Sequence, residues 1–170
     1  ISANGKPVKT VTPVLAPGVS GLRLTVPPGT RANPVALGGR WRVTLEDAAV
    51  PAGRSIAVSR ETGADGIQRL DVDVSDAAGA RWLSDPSVGD RIGVGFVFGP
   101  TTAVTAQRSF VEAALPPTFH GVLVTARADG VDIRPAPGRF VVGRPGGLSA
   151  SMDLMAEEKP TSPAFVDFAE

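Results

Sequence analysis

The chain has no cysteine, no tyrosine and one histidine, His120, among its 170 residues. Without cysteine there is neither a disulfide framework nor a thiolate metal site. A single imidazole rules out a metal centre built on several histidines. The lack of tyrosine is unusual for a carbohydrate-binding or antibody-like surface, where that side chain supplies rigid amphipathic contact area. Net charge is also missing. Lys+Arg and Asp+Glu are both 17, so no long-range field draws the chain toward nucleic acid or an anionic membrane. No apolar stretch approaches the roughly 20 residues that cross a bilayer, so no transmembrane segment is expected. The chain opens on Ile1 with no charged-then-apolar leader behind it, and reads as a piece of something longer.

What is present is apolar and strongly punctuated. Hydrophobic residues make up 42% of the chain, enough for a packed interior. The 20 glycines and 16 prolines fall between apolar runs rather than in one block, which marks turns and not disorder. Between the turns, apolar residues recur at every second position, the period of a half-buried strand. Leu22, Leu24 and Val26 form one such set. Trp41, Val43 and Leu45 form another, with Arg40, Arg42 and Thr44 opposite. These two runs are expected to pair antiparallel, leaving Arg23, Arg40 and Arg42 as a basic stripe on the outer face. Val8 to Leu15 has strand character, but Pro7, Pro13 and Pro17 confine it to an edge.

Further along, Ser55 to Arg60 and Ile67 to Val74 flank an Ala64-Asp65-Gly66 hairpin signal, with Leu70, Val72 and Val74 inward. Trp82 lies in a short run from Ala80 to Leu83. In Arg91 to Phe98, Gly93 and Gly95 alternate with Ile92, Val94 and Phe96. Glycines on one strand face indicate a close neighbour or a bend. Trp41, Phe96 and Phe140 are expected to face the core. Thr101 to Leu115 reads as a bulged strand. Phe119 to Ser149 reads as a three-stranded antiparallel meander, broken at Asp129-Gly130 and at Pro135 to Gly138.

Three runs, GGRWRVTLE, GDRIGVGFVF and PGRFVVGR, place Gly-Arg before an alternating segment. They fit either a repeated hairpin unit or a common way of starting a strand. The expected fold is therefore all-β: an antiparallel β-sandwich or barrel-like meander of about ten to twelve short strands, without a long helix. Residues 1–150 form the β-domain, with a break near 99–118 if it is two packed subdomains. Residues 151–170 lack alternation, lean acidic and read as a linker or tail.

Chemistry is sparse. His120 lacks a nucleophile motif around it and reads as a turn-capping residue rather than a general base. Asp71 and Asp73 share a strand face and could bind calcium or act as an acid/base pair, but such a pair usually marks a solvated strand face. Asp85 and Asp90 flank a loop. Neither Gly38-Gly39 nor Gly146-Gly147 follows the strand-to-helix grammar of a phosphate loop. The candidate binding residues are Arg23, Arg40, Arg42 and Trp82. No catalytic residue, metal site or cofactor is expected.

The segments DPSVGD (Asp85 to Asp90), FVEAALPPTFHG (Phe110 to Gly121) and GRPGGL (Gly143 to Leu148) carry a resemblance. The region from about 20 to 150 resembles the β-rich, AMIN-like region of alphaproteobacterial envelope proteins that carry tetratricopeptide repeats. The resemblance implies a non-enzymatic module in the periplasm or cell envelope of a Gram-negative bacterium. Its partner would be a protein or a cell-wall polymer, not nucleic acid. A carbohydrate-binding or carbohydrate-processing sandwich using Trp82, Asp71 and Asp73 is one alternative, and a structural β-domain of a phage or secretion machine is another.

Overall fold

In a computed structural model, the structure describes residues 8, 10–16, 18–27, 29–47, 54–85 and 89–149. The linker or tail expected over 151–170 lies outside them. The described residues form short strands and no helix, so the chain is all-β. Fifteen strands are present among them, more than the spacing of turns suggests.

In chain order, β1 (Thr10–Ala16) and β2 (Val19–Thr25) form one hairpin, and β3 (Thr30–Leu37) and β4 (Arg40–Asp47) a second. Then come β5 (Arg54–Ser55), β6 (Val58–Thr62), β7 (Gln68–Asp73), β8 (Ala77–Asp85) and β9 (Asp90–Val97). The series closes with β10 (Thr102–Ala103), β11 (Arg108–Ser109), β12 (Ala113–Leu115), β13 (Val122–Ala126), β14 (Asp132–Ala136) and β15 (Arg139–Gly143).

Two sheets make the sandwich. One has seven strands in the order β11-β12-β13-β9-β8-β1-β2, the other four in the order β14-β15-β7-β6. β5 and β10 pair in parallel beside them. Strands from both sides of residues 99–118 share each large sheet, since β13 pairs with β9 and β15 with β7. Alternation does what the sequence requires of it. Leu70, Val72, Phe140, Val142 and Ile133 point inward from the small sheet, and Val97, Val122, Val124, Ala113 and Leu115 meet them from the large one. Burying each larger side chain of this kind contributes roughly 1.5–3 kcal/mol. A one-residue bulge between Ala77 and Gly79 resets the phase of β8, so Ala77, Ala80 and Trp82 all lie against that core.

Several pairings differ from expectation. Residues 119–149 are not a meander. β14 and β15 do form a hairpin, around Pro137-Gly138, but β13 belongs to the other sheet. The Asp129-Gly130 turn exists, with Gly130 at φ 76°, yet it carries the chain across the sandwich. Alternation fixes which side chains are buried; Val122 and Ile133 are both buried, from opposite layers. It does not say which strand lies alongside.

Likewise Leu22 to Val26 does not pair with Trp41 to Leu45. Each joins its immediate neighbour instead, because Thr30 to Leu37, which lacks alternation and contains Pro34, is itself a strand. β1 is not wholly an edge: it lies between β2 and β8, although only Leu15, opposite Ser84, is in register with β8. Thr101 to Leu115 is three short strands, not one.

In β9 the facing is reversed. Gly93, Gly95 and Val97 are buried, and Phe96 is 37% exposed. The small residues turn inward because bulk arrives from across the core. A Cβ on Gly95 would lie 3.0 Å from the Phe140 ring, and one on Gly93 3.0 Å from Ile133.

The Gly-Arg similarity also has a local cause. The three runs become β4, β9 and β15, in three different sheets. Each follows a glycine with positive φ: Gly39 at 78°, Gly89 at 74° and Gly138 at 72°. The shared pattern is the return strand of a tight turn.

Candidate functional site

The candidate binding residues fall on two separate parts of the fold. Arg40 and Arg42 lie on β4. Arg23 lies on β2, opposite Thr12, at a groove of about 610 Å³ shared with Arg91, Arg127 and Asp129. The three arginines therefore do not form one stripe on paired strands.

β3 and β4 form a two-stranded sheet of their own. Gly38 and Gly39, at φ 49° and 78°, close it with the two positive angles that a type I′ turn needs. With Leu37 opposite Arg40, one face carries Ala32, Pro34, Ala36, Trp41, Val43 and Leu45. The other carries Val35, Leu37, Arg40, Arg42, Asn33 and Thr44. Burial is graded along the hairpin. Leu45 at its root is 2% exposed, whereas every residue from Arg31 to Arg42 is exposed. Trp41 is not a core residue: it is 72% exposed, with Val35 at 45% and Leu37 at 43%. The hairpin is an arm, buried at Leu45 and bare toward its turn. Within the stretch Ala32 to Leu45, Arg40 and Arg42 are the charged residues.

Trp82 plays a different part. Its indole N–H donates to Asp132 Oδ1 at 2.8 Å, strapping β8 to β14 across the sandwich. The ring lies over the bare Cα of Gly93, its cross-strand partner, and the Arg91 guanidinium sits 4.5 Å from the ring centre. Asp132 also accepts from the Ile133 N–H at 2.9 Å and from Arg134 at 2.7 Å. Partial burial works against its charge. The bonds from Arg134, Trp82 and Ile133 outweigh that and hold its carboxyl below the usual range. Trp82 is thus committed to the fold.

Asp71 and Asp73 lie on the outer face of the small sheet, away from Trp82, so the proposed carbohydrate constellation is not assembled. Arg139 reaches Asp71 at 3.1 Å, and the register sets Arg139 opposite Asp73. Asp85 and Asp90 are backbone neighbours across the β8–β9 connection. At one end of the small sheet a cleft of about 240 Å³ is lined by Arg69, Arg134 and Arg144. Each is already matched with an acid: Asp65, Asp132 and Glu112 respectively. Among the described residues, no three His, Asp or Glu side chains gather as a metal would need.

His120 is held at both ring nitrogens. The Thr102 N–H donates to Nδ1 at 3.3 Å, which makes Nδ1 the acceptor and leaves Nε2–H to donate to the Val97 carbonyl at 3.0 Å. Beside it, buried Thr118 accepts from the Val104 N–H and donates to the Gly121 carbonyl. Both nitrogens serve the backbone, so the ring is a staple of the 102–121 segment.

Glu112, which lies in the Phe110 to Gly121 segment but is given no role by the sequence reading, accepts from Arg144 and from the Ser149 N–H. It ties the end of the described chain to the turn before β12. The chain matches no protein-family model, no curated protein and no solved structure.

Proposed function

We propose that this chain is a non-catalytic β-domain of a larger cell-envelope protein, and that it attaches to another component of the envelope, a protein or a cell-wall polymer, through the β3–β4 arm. The observation that supports this reading is the exposure of the arm. A large aromatic side chain and two aliphatic ones are held out in water on a regular, tightly turned hairpin. Exposed apolar surface of this kind marks an interaction site, and tryptophan and arginine are the side chains that carry most binding energy at interfaces. Among the described residues, three polar side chains are committed to the fold. His120 is bonded to backbone at both nitrogens, and Asp132 and Glu112 neutralise arginines.

The test is a pull-down with purified peptidoglycan and with envelope polysaccharides and proteins, comparing the parent with Arg40→Glu/Arg42→Glu. The double variant is expected to lose capture. Equal capture by both proteins removes the arm from the interaction.

A further inference from the structure

The arm carries apolar side chains on both of its faces. Trp41 and Ala36 lie on one, Leu37 and Val35 on the other, and all four are exposed. A polypeptide that packs on a sheet covers one face, and one that adds a strand takes an edge. Either contact by itself leaves the opposite apolar face in water. A lipid headgroup layer surrounds whatever enters it.

Charge points the same way. The chain as a whole is neutral, with 17 basic and 17 acidic residues, but Ala32 to Leu45 holds two arginines and no acid. Arg31, Glu46 and Asp47 stand at the end away from the turn, so it is the outer part of the arm that is cationic. Arginine can lay its stem along apolar surface while its head stays with phosphate, and an indole favours the boundary between apolar and wet regions.

Backbone chemistry limits the depth. In this register Leu37 and Arg40 face each other through hydrogen bonds, so Pro34 and Ala36 direct their backbone groups to the outer edge of β3. Pro34 has no N–H there, but other edge groups remain, and a hydrocarbon interior would leave them unsatisfied. The arm suits the headgroup layer and not the interior.

We infer that the arm docks this domain on the surface of an anionic lipid bilayer. The inference rests on the arm being the attachment site and adds a lipid surface to what that site meets.

Co-sedimentation with vesicles tests it. The protein is expected to pellet with phosphatidylglycerol-rich vesicles at low salt, to stay in solution with phosphatidylcholine alone, and to release at about 1 M salt. Arg40→Glu/Arg42→Glu should bind at least about tenfold more weakly, and Trp41→Ala should weaken binding as well. Brominated lipids should quench the parent's fluorescence more than that of Trp41→Phe, whose remaining indole is Trp82. Near-UV circular dichroism matching the parent keeps misfolding from mimicking the result.

If the protein ignores anionic vesicles, or the double arginine variant binds them as well as the parent, the lipid inference is overturned. If vesicles fail but the double variant still loses capture of peptidoglycan or envelope protein, the arm remains the attachment site with a different partner. If no variant changes anything, both readings fall.

Discussion

At the scale of single residues, the fold depends on where side chains are missing. Gly95 leaves room for the Phe140 ring, and Gly121, at φ 75°, brings its Cα against the Gly95 carbonyl. Gly95→Ala should cost about 1–3 kcal/mol, because a methyl there meets a fully buried ring that has nowhere to go. Gly121→Ala should cost at least as much, since it adds left-handed strain to a 2.7 Å clash with backbone. Urea unfolding midpoints of the two variants measure both. Trp82→Phe keeps an aromatic ring, though a smaller one, and leaves Asp132 one donor short. It is expected to lose about 1–3 kcal/mol in the same assay. An unchanged midpoint would mean that the strap between β8 and β14 carries no stability.

At the scale of elements, a hairpin either shares in the core or stands outside it, and mutations read the difference. Trp41→Ala, on the bare part of the arm, should move the unfolding midpoint by no more than about 0.5 kcal/mol, the range of ordinary surface changes. Leu45→Ala, at the root, should cost about 2–5 kcal/mol. The element scale is also where sequence reading divides. Turns were legible at several glycines that take positive φ, among them Gly66, Gly130 and Gly138, but not at Gly121. Burial was legible in Leu70, Val72, Val74, Phe140 and Val142, where bulk and alternation coincide. Facing was misread in β9, where the space at Gly93 and Gly95 is filled by side chains far along the chain. Pairing was illegible for β13 and β14, because a two-residue turn signal is the same whether the chain folds back or crosses over. The arm stayed hidden for a related reason. Trp41 sits in a faultless alternating run, and nothing local records that no second layer covers it.

At the scale of the whole molecule, several arginines among the described residues are paired with acids, and low pH should undo some of these pairs. The Arg69 guanidinium beside Asp65, with the Ile67 N–H, holds the Asp65 carboxyl down to about 2 from 3.8. Asp132 is lowered as well. A carboxyl lowered in the folded state contributes stability that is complete above its unfolded value and lost as pH falls through its folded one. Urea midpoints should therefore hold from neutral pH to about 4 and then fall toward pH 2. Asp65→Asn should lessen that fall. A profile flat down to pH 2 would show that these pairs do not couple to folding.

Topology sets a second global property. β9 waits for β13, and β7 waits for β15, so both layers are completed by the last thirty or so described residues. A chain ending at Thr118 should be insoluble or unstructured by circular dichroism. During synthesis, nearly the whole domain must leave the ribosome before either layer can close. Until Ala126 emerges the Val94 strand, and until Val142 emerges the Leu70 strand, is an open template for aggregation, and a chaperone that shields extended apolar segments should raise the yield of this domain.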